Sequence, residues 1–381
     1  MPSNYGSRKL RPLVITMGGP RQEAIRELFA QMSDDFEEPV FSPGVPSRSI
    51  RNRLDLWSHF YDLGLIPQAE WDVIQANKDN PEYQLHPERM DEIFDGVPVE
   101  PRFGSDNLHY ATELWRKARG VNRGRAVLAC TVAHLFAIRT LHEQDLDFIL
   151  EDNVRAPVEE CAARIREACQ QQKECHFRFY GWLGSVPNLR WIHNHHMPRC
   201  SSMVDDETCV FPLPTLSDLE ETRVDGVLPT ETGEREPGGN MVWGCYAYWI
   251  SKEAYEAVLD KLRHDVGSLL WRGKRARFYT VTPIDKLLPR KIAYLFGGDK
   301  IYLARRPAFF RAPMLTSKIH TKWDPEFCKS TEFQLKQSGL DWDNLWLTET
   351  ERAVVEHKQR HGDWLTPSQL AAIDNDAEGN E

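Results

Sequence analysis

The chain has 381 residues, of which 41% are hydrophobic and 27% are charged. This composition excludes a mostly disordered protein, and the length allows one large domain or two medium ones. A formal net charge of −10 argues against a nucleic-acid binder, which needs a basic face to neutralise phosphates. No apolar run approaches the roughly 18 residues of a membrane span. We expect a protein with no transmembrane segment and no secretory signal, located in the cytoplasm, either free or peripheral to a membrane.

The chain opens with a pattern typical of α/β folds. The apolar run 12–17 predicts a buried strand, and Gly18 and Gly19 predict a turn. A helix is predicted from about Arg21, because four apolar residues follow at helical spacing, namely Ile25, Leu28, Phe29 and Met32. Loops at such strand ends hold nucleotides in many α/β proteins, and glycine turns also occur there for structural reasons alone.

The next segments lead to an acidic strand end. Residues 41–124 are predicted to form a largely helical, charged insertion, and 125–141 an apolar helix. A short buried strand is predicted at 147–150, ending in Glu151-Asp152-Asn153, with a new helix from Pro157. Acidic side chains at the carboxyl edge of a central strand lie where α/β sheets keep their ligands.

The second half of the chain alternates between strands and helices. Strands are predicted at 176–180 and 241–250, with a helix capped by Ser251 after the second. A further strand-like run, 280–286, contains Asp285.

The predicted domain organisation is one large unit with an extension. We assign 1–335 to the main domain, with 200–240 as an acidic flexible loop, and 336–381 to a C-terminal helical extension with an acidic tail. The eight cysteines include no C-x-x-C pair, so we expect reduced thiols. Cys161 and Cys169 lie on the apolar face of a predicted helix and are expected in the core.

The triplet Glu151-Asp152-Asn153 has the form of an acidic metal clamp. Oxygen donors of this kind hold Mg²⁺ or Mn²⁺, whose open positions can take the two phosphates of a nucleotide-sugar. Acids that follow an apolar strand also occur as solvated strand ends, and both interpretations remain open on spacing alone.

A series of short motifs resembles glycosyltransferase family 25, which includes bacterial lipopolysaccharide galactosyltransferases and procollagen galactosyltransferases. The resemblance spans roughly residues 10–320 and is best between Arg125 and Val154. It is carried by the order of these motifs: Ala129-Cys130-Thr131-Val132-Ala133-His134, FILEDNV, GCYAYWISKEAYEAVLDKL, Pro283-Ile284-Asp285, Arg306-Pro307-Ala308-Phe309-Phe310 and Ser317-Lys318-Ile319.

The resemblance implies an α/β protein with a GT-A type fold, in which helices flank a central mixed sheet. It implies inverting transfer of a sugar, plausibly galactose, from a UDP-sugar donor to a hydroxyl of a glycan, glycolipid or protein acceptor. Asp285 is the candidate general base, with a turn or helix-cap role as its alternative. The implied metal ligands for Mn²⁺ (or Mg²⁺) are Glu151, Asp152 and Asn153. The implied nucleotide-sugar site comprises Thr16, Gly18, Arg21, His134, Glu151 and Asp152.

The chain departs from the family pattern at three positions. Asn153 stands where the family has the last acid of E-D-D, which removes one charge from the implied metal site. Ala129 and Ala133 replace a glycine and a serine. Two alternatives to an active transferase follow: a catalytically silent GT-A protein that binds a glycan or protein partner, and a different α/β enzyme that handles nucleotides.

Overall fold

The computed structural model describes residues 8–50, 53–76, 128–174, 179–187, 242–272, 301–303, 307–313 and most of 328–365, with a few isolated positions elsewhere. The first half contains β1 (Pro12–Thr16), α1 (Pro20–Ala30), β2 (Val40–Pro43), α2 (Arg53–Asp62), α3 (Gln68–Ala76), α4 (128–143), β3 (Phe148–Glu151), β4 (Val154–Arg155) and α5 (Cys161–Glu174). The second half contains β5 (Tyr180–Pro187), β6 (Val242–Ile250), α6 (Lys252–Arg272), β7 (Ile301–Leu303), β8 (Phe310–Arg311) and α7 (Glu349–His361).

Six strands form one mixed sheet in the order β2-β1-β3-β6-β5-β7. Strand β1 pairs in parallel with both β2 and β3, whereas β6 is antiparallel to its neighbours β3 and β5. The short strands β4 and β8 form a separate antiparallel pair. The prediction of an α/β protein with helices flanking a mixed sheet is therefore confirmed.

The opening strand, turn and helix form as the sequence predicts. All five residues of β1 are buried, as expected for a strand covered on both faces of a parallel sheet. Gly18 and Gly19 have φ values of 81° and 73°, which side-chain-bearing residues rarely adopt. These two glycines reverse the chain, and Pro20 begins α1 at a position where its missing N–H costs nothing.

Helices cover both faces of the sheet. One face packs against α2, α3, α4 and α6, and the core face of α6 is the predicted one: Ala254, Val258, Leu259 and Leu262. The other face packs against α1 and α5, where Cys161 is fully buried as expected. Within the described part of the chain, no helix is long and apolar enough to cross a membrane.

Several predicted boundaries differ from the structure. The strand predicted at 147–150 runs over Phe148–Glu151, and the insertion predicted to be helical from residue 41 begins inside β2. Strand β5 runs over Tyr180–Pro187, later than the predicted 176–180. Its two glycines are uncommon in strands, so the sequence of this segment does not indicate a strand. A Cβ on Gly181 would lie 2.4 Å from Trp249 Nε1, and one on Gly184 would lie 2.5 Å from the Phe309 carbonyl oxygen. Likewise α5 begins at Cys161 and not at Pro157.

The predicted strand at 280–286 is wrong at Ile284, which is helical in the structure. Ile284, Leu288 and Ile292 are all helical and all buried. Asp285, the 200–240 loop and most of the 41–124 insertion lie outside the described residues.

The C-terminal segment is attached to the main sheet region by a buried ion pair. The Arg155 guanidinium donates to both Glu351 carboxylate oxygens, at 2.6 Å each, and the two side chains are 2% and 7% exposed. Glu351 also accepts from the Thr348 backbone N–H as part of a capping box that starts α7. The surrounding apolar cluster includes Phe310 of β8 together with Trp342, Val354 and Trp364.

We predict that Glu351→Ala destabilises the protein by about 3–5 kcal/mol, because it leaves the Arg155 charge buried without its partner. Chemical denaturation followed by tryptophan fluorescence measures this change.

A matched control is Glu356→Ala on the same helix, where Glu356 pairs with Arg360 on the surface. Its expected cost is below about 1 kcal/mol, because exposed pairs contribute little. Glu351→Gln keeps a capping side chain and so separates the lost charge from the lost cap. Equal losses for the Glu351→Ala and Glu356→Ala variants would contradict the assigned role of the buried pair.

Candidate functional site

The candidate site lies at the carboxyl ends of β1 and β3. From β1 the chain passes through α1 to β2 on one side, whereas β3 lies on the other side of β1. Such a reversal of strand order opens a crevice in which α/β proteins bind ligands. The Asp152 backbone N–H donates to the Ile15 carbonyl at 3.1 Å, so the β1–β3 pairing extends into the crevice.

Asp152 faces the glycine turn that follows β1. Its Oδ2 accepts from the Thr16 hydroxyl at 2.8 Å, and Thr16 Oγ1 in turn accepts from the Gly18 N–H at 3.0 Å. Arg21 Nη1, on the first turn of α1, lies 3.8 Å from Asp152 Oδ1. Hydrogen bonds and an ion pair therefore connect the glycine turn, the start of α1 and the Asp152 carboxylate in one network.

The surroundings of Asp152 disfavour its charged form. Burial raises the pKa of Asp152, and the neighbouring Glu151 charge raises it further, whereas the Thr16 hydroxyl and Arg21 only partly offset the change. A cation or a further hydrogen-bond donor in the crevice would therefore stabilise the ionised carboxylate.

Glu151 has different partners from its neighbour Asp152. Its Oε1 lies 3.2 Å from His134 Nε2 on α4, and its Oε2 accepts from Asn153 Nδ2 at 2.9 Å. Burial alone would raise the pKa of Glu151, but the hydrogen bond and charge of His134, the Asn153 amide and the Arg311 charge together lower it. The Glu151 carboxylate is thus held in its ionised form.

His134 is fixed from both sides of its ring. Its Nδ1 lies 2.9 Å from the Tyr248 hydroxyl, and the imidazole stacks on the Tyr248 ring. His134 is 1% exposed, so this orientation is enforced by packing.

Arg311 brings a second guanidinium group to the crevice. Its strand β8 pairs with β4, and the Ala312 N–H donates to the Asn153 carbonyl at 2.9 Å. Burial lowers the pKa of Arg311, the Glu151 charge raises it, and the nearby Arg21 charge lowers it. Two guanidinium groups and two carboxylates therefore interact in a partly buried space.

One group of side chains could hold a metal ion, and the sequence analysis did not identify it. Cys130, His134 and Glu151 offer donor atoms that lie within 4.8 Å of one another. The available signal was the C-x-x-x-H spacing on an apolar helix, because residues four apart share a helix face. The contribution of Glu151 depends on the packing of α4 against β3, which spacing does not reveal.

The predicted site residues fall into two neighbouring sets. Thr16, Gly18, Arg21 and Asp152 form one set, and His134, Glu151 and Asn153 form the other. The metal clamp predicted at residues 151–153 stays a prediction. The Asp152 carboxylate contacts Thr16 and Arg21, whereas the Glu151 carboxylate contacts His134 and Asn153. Asn153 Oδ1 is buried and has no hydrogen-bond partner among the described residues.

Comparisons of the chain with family models, with curated proteins and with solved structures found no match. The resemblance to glycosyltransferase family 25 therefore remains a prediction that rests on the order of motifs in the sequence.

We predict that Asp152→Asn does not lower stability at neutral pH. A raised pKa means that the folded protein disfavours the ionised carboxylate, so wild type loses stability, relative to the variant, as pH rises above the ordinary value of 3.8. The amide can still accept from Thr16, and the lost contact with partly exposed Arg21 costs less than about 1 kcal/mol. Urea unfolding of both proteins at pH 4, 5 and 7 measures the difference.

The control is Asp34→Asn, at an exposed aspartate in the turn after α1, which should differ in stability from wild type by less than about 0.5 kcal/mol at each of the three pH values. A stability advantage of wild type that grows toward pH 7 would show that the charged form of Asp152 is favoured by folding.

Proposed function

We propose that the protein is a glycosyltransferase that binds a nucleotide-sugar, with its diphosphate in the crevice between β1 and β3. The observation that carries the proposal is the convergence of Asp152, Thr16 and Arg21 at the glycine turn after β1. The mixed sheet, with parallel β2-β1-β3 followed by antiparallel β6, supports the expected GT-A type fold. The motif order described above favours a family 25-like transferase.

The positive groups of the crevice suit a diphosphate. Burial and, to a smaller extent, the Arg21 charge lower the pKa of Arg311, and a bound anion beside Arg311 would favour its charged form. The uncapped start of α1, with glycine as its N-cap, adds a partial positive charge. In glycosyl transfer these groups would stabilise the charge that develops on the departing nucleoside diphosphate.

The donor atoms present fit a hard divalent ion. Asp152 supplies a carboxylate, and the buried Asn153 Oδ1, without a partner among the described residues, supplies a neutral oxygen of the kind that Mn²⁺ or Mg²⁺ accepts. Glu151 would contribute by its charge or as a third ligand. When bound, the ion supplies additional neutralisation of the leaving diphosphate.

The acceptor side of the reaction requires a base that removes a proton from the attacking hydroxyl. Asp285 remains the candidate from the sequence, and it lies outside the described residues. The acceptor is proposed to be a glycan, a glycolipid or a protein hydroxyl.

One observation favours the second candidate function, a silent protein of the same fold that binds a glycan or protein partner. The Asn153 amide donates to Glu151, so a neutral donor occupies the place of the family's third acid. A protein that binds nucleotide without transferring sugar would fit that arrangement.

A screen of nucleotide-sugars tests the proposal directly. We expect slow hydrolysis of one UDP-sugar that depends on Mn²⁺ and stops when the ion is chelated, because water can replace the acceptor. Release of UDP is the readout, and GDP-, CMP- and ADP-sugars serve as comparisons. Metal-dependent UDP binding without hydrolysis would support the silent alternative, and neither binding nor hydrolysis of any donor would refute the glycosyltransferase.

We predict that Arg21→Ala weakens UDP binding by about tenfold or more, because a charged contact to phosphate contributes about 1.5–3 kcal/mol. Calorimetry with and without Mn²⁺ measures the affinity.

Arg26→Ala is the matched control on α1. Arg26 pairs with Glu38 and packs on Phe41, contacts that do not involve the crevice residues. Its UDP affinity should equal that of wild type. A similar loss in both variants would mean that the effect arises from α1 as a whole and not from the crevice.

A further inference from the structure

The strongest feature that the proposed function leaves unexplained is the mixed set of donors on α4 and β3. Cys130 and His134 are one helical turn apart on α4 and therefore share a face, and that face meets the end of β3 at Glu151. The thiol, imidazole and carboxylate donor atoms all lie within 4.8 Å of one another. Sulfur, nitrogen and oxygen ligands brought together in this way are typical of transition-metal sites.

The partners of these side chains orient them toward a common point. The Tyr248 hydroxyl contacts His134 Nδ1 at 2.9 Å, and Asn153 Nδ2 donates to Glu151 Oε2 at 2.9 Å. The remaining atoms, His134 Nε2 and Glu151 Oε1, face each other at 3.2 Å. Hydrogen bonds of this kind to the far atoms of histidine and carboxylate ligands recur around protein-bound metals, where they fix the ligand orientation.

We propose that Cys130, His134 and Glu151 bind a divalent transition-metal ion of the zinc class. Zinc accepts thiolate, imidazole and carboxylate ligands together, whereas Mg²⁺ and Mn²⁺ prefer oxygen. The site is therefore chemically distinct from the oxygen-ligand position proposed for Mn²⁺ or Mg²⁺, although the two positions adjoin each other at Glu151. Three protein ligands leave the fourth position of a tetrahedral ion open to water or to a bound molecule.

The present distances are compatible with metal binding after a small adjustment. Ligands at about 2.0–2.3 Å from zinc lie about 3.5 Å from one another. Donor atoms that are now up to 4.8 Å apart therefore need to approach by little more than about 1 Å, whereas His134 Nε2 and Glu151 Oε1, at 3.2 Å, need to separate slightly. His134 is buried, whereas Cys130 and Glu151 are partly exposed, which provides a side from which an ion can enter. The ion would replace the direct His134–Glu151 contact, and its charge would compensate for a Cys130 thiolate next to the Glu151 carboxylate.

Cobalt spectroscopy on the full chain tests this site without reference to nucleotide binding. The protein is first stripped of metal with a chelator and then titrated with Co²⁺. We expect one equivalent to produce visible bands of tetrahedral cobalt and a near-ultraviolet sulfur-to-cobalt charge-transfer band, both removed by one equivalent of Zn²⁺. The charge-transfer band reports a bound thiolate, which a hydrogen-bonded network alone would not produce.

Matched variants assign the ligands. Cys130→Ser should abolish the charge-transfer band, whereas Cys161→Ala, at a fully buried cysteine on α5, should retain it. His134→Ala and Glu151→Gln should lower cobalt affinity by at least about tenfold. His142→Ala, two turns further along α4, should leave it unchanged. Far-ultraviolet circular dichroism confirms that each variant is folded.

Two results would overturn the proposal. One is the absence of a charge-transfer band in the wild-type protein, which requires no variant to fold. The other is an undiminished band in the Cys130→Ser variant, which would place the thiolate elsewhere. Because UDP binding is measured separately, failure of the zinc-class site leaves the proposed glycosyltransferase untouched, and the reverse also holds.

Discussion

The parallel pairing of β1 with β3 is the constraint on which the candidate site depends. It aligns Ile15 with Glu151 and so brings two chain segments, more than a hundred residues apart, to the same edge of the sheet. Thr16 and Asp152 meet as the next residues beyond that register. A shift of one residue would exchange the faces on which alternate side chains lie, and Glu151 would no longer reach His134. The buried apolar residues of both strands enforce the register, so the core determines which polar groups meet.

The sequence was sufficient for the elements whose pattern is local. The apolar run of β1, the glycine turn and the helical spacing of α1 are consistent with one another, and the structure contains all three. The long buried strand β6 and its capped helix α6 were also predicted, and Ser251 accepts from the Ala254 N–H at 3.1 Å. The prediction misplaced strand β5 because two of its positions must be glycine. A larger side chain there would clash with Trp249 and Phe309, which lie elsewhere in the chain. The run containing Ile284 was too short to distinguish a strand from a helix.

Contacts between distant segments account for what the sequence did not predict about the site. Glu151 was expected to act with its neighbours Asp152 and Asn153, but it also contacts His134 on α4. Tyr248 and Arg311 approach the crevice from β6 and β8, and neither carries a local motif that indicates this. Cys130 was interpreted as part of an apolar helix and of the motif that ends in His134, and not as a metal ligand. Spacing identifies residues that share a face, whereas the partner of that face is determined by packing of the whole core.

The location of Phe310 links the far end of the chain to the crevice. Phe310 is fully buried among residues of the C-terminal cluster, and the next residue along β8 is Arg311. Residues beyond 340 therefore help to position the Arg311 guanidinium group, whose charge acts on Glu151. Proteolytic removal of α7 would remove Glu351, which is the ion-pair partner of Arg155, and would also remove part of the apolar packing around Phe310. The C-terminal cluster therefore supports the edge of the sheet at which Glu151 and Arg311 lie.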